Sequence, residues 1–173
     1  MADLLNRRLP RCGLYRTTKP LPGNEQQVPA KRLVYFHNHS ELGLPRVIVP
    51  EHISCNRWHF HGEGVHFRAL SWAETLRRLP AQGYYVLNAT FQFEGGAWPK
   101  GALVQLGYSR AGEPILFLAR RRADAQDSQL AFSERGVRMP DEGLSGLQGP
   151  LTVYTERGDR LDGDDEHQGT SDK

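Results

Sequence analysis

Shifted by 70 residues, the sequence aligns with itself. Arg7-Arg8-Leu9-Pro10 falls on Arg77-Arg78-Leu79-Pro80, Gly13 on Gly83, Tyr15 on Tyr85, Pro29 on Pro99, and Leu33-Val34 on Leu103-Val104. These are nine identities over 28 aligned positions, where chance gives about two at residue frequencies of ~5–7%. With small gaps the correspondence runs on. The turn Leu42-Gly43-Leu44-Pro45 parallels Ala111-Gly112-Glu113-Pro114, Val47-Ile48-Val49 parallels Leu116-Phe117-Leu118, and Phe60 with Gly64-Val65 parallels Phe132 with Gly136-Val137. A period of this length means one supersecondary unit used twice.

Each unit reads as short strands. Gly13 to Thr17 and Gly83 to Leu87 are rich in aromatic and β-favouring residues. Each is followed by a long loop containing proline, Lys19 to Pro29 or Ala89 to Pro99. A second strand follows, Arg32 to His37 or Ala102 to Gly107, then a glycine turn and a third apolar run, Pro45 to Val49 or Pro114 to Leu118. Trp58 to Phe67 and Leu130 to Met139 close the units as strand pairs. Gly95-Gly96 reads as a turn, since no helical pattern follows it. One helix is expected between the units: Ser71 as N-cap, Glu74 three residues later, Trp72, Leu76 and Leu79 on one face, and Pro80 as the stop. The expected fold class is all-β with minor α: a tandem duplication of a ~70-residue small β-barrel of SH3-like size. The domains are then 1–70 for the first barrel, 71–155 for the bridging helix and second barrel, and 156–173 for a tail. Units this small bury little core alone, so the two are expected to pack together.

The net charge of +2 conceals an asymmetry. Glu156 to Lys173 carry seven acids and three bases, with Leu161 as the one large aliphatic residue. Such a segment cannot offset its ordering entropy by apolar burial, which makes it a disordered acidic tail by composition. The rest of the chain has 19 bases against 13 acids, about +6. That tail is a solubilising segment, or one that folds back onto the basic body and competes with an acidic partner. Arginine occurs 18 times and lysine four times, a bias that fits a GC-rich bacterial genome and a need for guanidinium chemistry equally well. No apolar run approaches the ~18–20 residues of a membrane span, and the first residues lack the apolar stretch of a secretory leader. Cys12 and Cys55 stand in no C-x-x-C pattern and read as free thiols. These features together predict a cytoplasmic protein without membrane association.

Six of the seven histidines lie in the first unit. His37-Asn38-His39 and His59-Phe60-His61 have H-x-H spacing, which puts both rings of a pair on one face of a strand. If those strands are neighbours, His37, His39, His59 and His61 converge as candidate ligands for a divalent metal, with Glu41 or Glu63 nearby. The second unit has Gly107, Ser109, Ala131 and Ser133 at the matching places. The same alternation also describes a solvated strand face, so a metal is not otherwise called for.

Catalytic signatures are missing: no G-x-S-x-G, Walker A loop, dinucleotide fingerprint or H-E-x-x-H. The sequence therefore favours a non-enzymatic binding or adaptor module, with a protein or small ligand in the groove between the units. Trp98, Pro99, Tyr35 and Tyr108 are the candidate contact residues. A metal-dependent protein using the first-unit histidines is one alternative. RNA or single-stranded nucleic acid is another. Arg7, Arg8, Arg77, Arg78 and Arg120-Arg121-Arg122 would supply charge, and Tyr35, Trp58, Tyr84, Tyr85, Trp98 and Tyr108 stacking surface.

Overall fold

The chain is punctuated by glycine and proline every few residues, so its strands are short. The computed structural model describes residues 9–121 and 130–153. In order the strands are β1 (Gly13–Arg16), β2 (Leu33–His37), β3 (Arg46–Ile48), β4 (His52–Ser54), β5 (Arg57–His59) and β6 (Val65–His66). A short helix α1 (Leu70–Ala73) and β7 (Arg77–Arg78) follow. Then come β8 (Gly83–Leu87), β9 (Phe91–Phe93), β10 (Gly96–Trp98), β11 (Leu103–Tyr108), β12 (Pro114–Arg121), β13 (Leu130–Phe132), β14 (Val137–Arg138) and β15 (Leu147–Leu151). A 3-10 segment, Asp141–Gly146, precedes β15. The acidic tail 156–173, Arg7, Arg8 and Arg122 lie outside the described residues. Among the described residues, no helix is long and apolar enough to cross a membrane.

Two antiparallel sheets carry the fold. The first has the order β6-β3-β2-β1-β7. In the second, β12, β11, β8 and β15 are neighbours, and β13 and β14 both pair with β12. Strand for strand, β14-β12-β11-β8-β15 follows the order of the first sheet. The register agrees too: Tyr15 lies opposite Val34, and Tyr85 opposite Val104. Tyr15 donates its hydroxyl to the Arg11 carbonyl at 2.8 Å, as Tyr85 does to Ala81 at 2.8 Å. The Lys31 N–H bonds the Thr17 carbonyl and the Gly101 N–H the Leu87 carbonyl, both at 2.8 Å.

No closed barrel forms among the described residues. β6 and β7, the edges of the first sheet, have two residues each, too few to pair around into a cylinder. The expected helix over Ser71 to Leu79 is also corrected. Helix α1 spans only Leu70–Ala73, capped at Ala69 without a side-chain bond. Arg77 and Arg78 instead pair with Arg16 and Tyr15 as strand β7, because the open edge of β1 offers unpaired backbone groups. The first sheet thereby uses chain beyond residue 70. Gly95 does turn a hairpin, joining β9 to β10 with Phe93 opposite Gly96.

Alternation divides β1 and β2 between two cores. Tyr15, Val34 and Phe36 pack with Leu21, Val28, Val47, Phe67 and Trp72 in the first sheet's own core. Leu14 and Leu33, on the opposite face, join Tyr85, Leu87, Val104, Leu106, Tyr108 and Leu116 of the second half. Full burial of a leucine side chain contributes about 1.5–3 kcal/mol, so these two leucines tie the halves together. The Leu33 N–H, donated to the Arg110 carbonyl at 2.9 Å, adds a backbone link. Asp141 clamps the same junction from the side, with one carboxylate oxygen accepting a hydrogen bond from Arg16 and forming an ion pair with Arg77.

One element departs from the sheet pattern. In the second half β12 continues into its pairing with β13. In the first half β3 stops at Ile48, and Pro50, which has no N–H to give a ladder, follows two residues later. The segment after it folds as a separate hairpin, β4–β5, with Ser54 opposite Arg57. Its two-residue turn places Cys55 (φ 49) and Asn56 (φ 63) in the left-handed region, the geometry of a type I′ turn.

Candidate functional site

The β4–β5 hairpin leans onto the second half and creates a cleft. Three anchors hold it there. Gln105, buried in the middle of β11, donates to the Cys55 carbonyl at 2.7 Å and accepts from the Asn56 amide at 3.2 Å. The Trp58 indole N–H donates to the Tyr108 carbonyl at 2.7 Å. Gln82 bonds the Trp58 backbone at both its N–H (2.8 Å) and its carbonyl (3.0 Å). The Arg110 guanidinium lies 5.3 Å from the Trp58 ring centre, within cation–π range. Close approach is possible because residue 107 is glycine: a Cβ there would sit 2.5 Å from the Asn56 carbonyl oxygen.

The cleft between hairpin, first sheet and second half encloses about 590 Å3. Tyr35, Trp58, Phe60 and Tyr84 give it aromatic walls, and Leu14, Ile48 and Leu79 add aliphatic surface. Its charged lining is Arg57 and Arg78, with His37, His59 and His61 beside them and Cys12 at one wall. No carboxylate lines it among the described residues. Neither arginine forms an ion pair with another described residue.

The expected four-histidine set divides in two. His37 and His39 stand at the end of β2, ring centres 6.2 Å apart. His39 Nδ1 lies 2.7 Å from Asn38 Oδ1 and 3.8 Å from the Cys12 sulfur. His59 and His61 share a face, as H-x-H spacing requires, but their third partner is His52. It lies opposite His59 across the hairpin. The three rings stack nearly parallel: His52 to His59 at 4.7 Å and 5°, His52 to His61 at 5.6 Å and 13°, His59 to His61 at 6.0 Å and 8°. One ligand nitrogen from each comes within 4.8 Å of the others. Glu41 and Glu63 are not part of this group. His52 escaped the sequence pattern because it stands alone. The signal was the turn: centred between Cys55 and Asn56, it makes His52 and His59 mirror positions.

The other candidate contact residues fall into two kinds. Tyr35 lines the cleft, its ring 4.8 Å from His37 and 5.8 Å from Phe60. Pro99 is exposed, away from the cleft. Trp98 is buried against Phe91 and Phe93, and Tyr108 is buried with its hydroxyl donated to the Pro80 carbonyl at 2.8 Å. Both rings are core, so neither offers contact surface. Burial, with Tyr85 and Asp141 close by and Arg16 opposing, pushes the Tyr108 phenol above the ordinary tyrosine range. Tyr85 is likewise buried, so it offers no stacking surface. Cys12 and Cys55 are both free thiols.

Comparison with protein-family models, with curated proteins and with solved structures gives no match.

Proposed function

We propose that this chain is a binding module that takes a small organic anion in the cleft under the β4–β5 hairpin. The observation that carries this reading is the lining of that cleft: two arginines and four aromatic side chains, with no carboxylate among the described residues. A volume of about 590 Å3 falls in the range of small-molecule sites, typically about 300–1,000 Å3. Guanidinium groups recognise carboxylate, phosphate or sulfonate through paired N–H donors. The aromatic and aliphatic walls suit an apolar body attached to that head.

The same reading takes the two halves as copies of one duplicated unit. Their common strand order, their matched Tyr–Val registers and the paired tyrosine-to-carbonyl bonds support it. The first copy has then diverged at Pro50, freeing a hairpin to wall the groove between copies. Nucleic acid fits less well, because Tyr85, Trp98 and Tyr108 are buried.

The test uses 1-anilinonaphthalene-8-sulfonate, an aromatic anion whose fluorescence reports binding. One site per chain is expected, weakened about tenfold or more in the Arg57→Ala, Arg78→Ala double variant and weakened by salt. Affinity that is indifferent to both arginines removes the cleft reading.

A further inference from the structure

We propose that His52, His59 and His61 form a three-imidazole site for one divalent transition-metal ion at the rim of the cleft. The proposal does not depend on the anion reading. His59 and His61 line the cleft while His52 stands outside it, so the cluster marks its edge.

Backbone geometry brings the rings together. His52 and His59 are paired across β4 and β5, and the His59 carbonyl accepts from the Glu51 N–H at 3.0 Å. His61 follows His59 by two residues on the same side. The hairpin is tied to the second half by the Gln105, Trp58 and Gln82 hydrogen bonds. The face that presents the imidazoles is therefore fixed in place before any ion arrives.

The donor chemistry selects the ion. Neutral imidazole suits zinc, copper and nickel, while calcium and magnesium demand oxygen ligands. Ligand nitrogens within 4.8 Å of one another must close to about 3.3 Å to share a tetrahedral ion with bonds of about 2.0–2.1 Å. His52 and His61 are exposed, so ring rotation supplies this movement without disturbing a core. Three neutral nitrogen ligands complete only part of a zinc coordination shell. At least one position stays open to water or to a ligand.

Zinc is the probe. Protein without a histidine tag, titrated calorimetrically in a non-coordinating buffer, is expected to take up one Zn2+ per chain. His52→Ala, His59→Ala and His61→Ala should each weaken binding by about tenfold or more. The His37→Ala, His39→Ala double variant should leave it unchanged, as should Arg57→Ala, Arg78→Ala. Cobalt in the same site should give visible absorption bands of a nitrogen-rich, low-coordinate ion, lost in His59→Ala. Near-ultraviolet circular dichroism of each variant separates loss of ligand from loss of fold. No stoichiometric uptake overturns the proposal, and so does uptake that survives His59→Ala with His61→Ala or moves to His37 and His39. Because the arginine variant keeps the zinc, failure of the anion site and failure of the metal site are told apart.

Discussion

Everything at the candidate site depends on one close approach, the β4–β5 hairpin against β11, and a single methyl group tests it. In Gly107→Ala the new Cβ would lie 2.5 Å from the Asn56 carbonyl oxygen and 3.2 Å from Phe117 Cε2. A carbon and a carbonyl oxygen rest at about 3.3–3.6 Å, so the hairpin must retreat by about 0.8–1.1 Å. Gly107 itself sits in ordinary strand conformation, so the strand tolerates alanine and the strain falls on the contact. Overpacking of this kind costs about 1–3 kcal/mol. Against it stand the Gln105–Cys55, Asn56–Gln105, Trp58–Tyr108 and two Gln82–Trp58 hydrogen bonds, each contributing about 1 kcal/mol net. The hairpin therefore stays docked on average but opens about 5- to 150-fold more often, at 1.4 kcal/mol per tenfold. The readout is hydrogen exchange of the three tryptophan indoles, followed by NMR. The Trp58 indole should exchange faster by that factor. The Trp72 indole, bonded to the Lys19 carbonyl in the first core, should keep its wild-type rate. If Trp58 is unchanged, or if all the indoles accelerate together, the hairpin is not held in the way described.

The remaining predictions concern the junction between the halves. Tyr108 and Tyr15 both have phenols raised above their ordinary value, with burial as the leading cause. A raised folded-state value means that the folded form holds the proton more tightly; this stability is complete below about pH 10 and is lost as pH rises beyond it. Tyr108→Phe should flatten the alkaline fall in urea-melt stability as pH rises above about 10. At neutral pH it should cost about 0.5–1.5 kcal/mol, for the lost bond to Pro80. Equal alkaline slopes in the two proteins would contradict that assignment. Asp141→Asn removes the charge shared by Arg16 and Arg77 at a site where both the aspartate and Arg16 side chains are 16% exposed. It should lower the unfolding free energy by about 1.5–3 kcal/mol, the range for hydrogen bonds to charged groups. An unchanged urea midpoint would show that Asp141 does not clamp the halves.

Much of the architecture was legible in the residues. The 70-residue correspondence places β1 with β8, β2 with β11 and β3 with β12, because glycine turns and alternating apolar residues are local signals. H-x-H spacing put His59 and His61 on one face for the same reason: side-chain alternation is a property of the strand alone. The short acidic-capped pattern at Ser71 misled, since a capping box says nothing about the unpaired edge of β1 that draws Arg77 and Arg78 into the sheet. Trp98 and Tyr108 looked like contact residues because aromatic character is visible in sequence and burial is not.

What the sequence determined by itself is a set of short, glycine-bounded strands, written in contacts between near neighbours. Only the tertiary structure decided where the site would be. Pro50 releases a hairpin from the first sheet, the absent side chain of Gly107 lets it settle on the second half, and the turn at Cys55 and Asn56 carries His52 opposite His59. The break at Pro50 and the turn are local, but the docking joins Cys55 and Asn56 to Gln105 and Gly107, some 50 positions on, and no local pattern encodes that meeting.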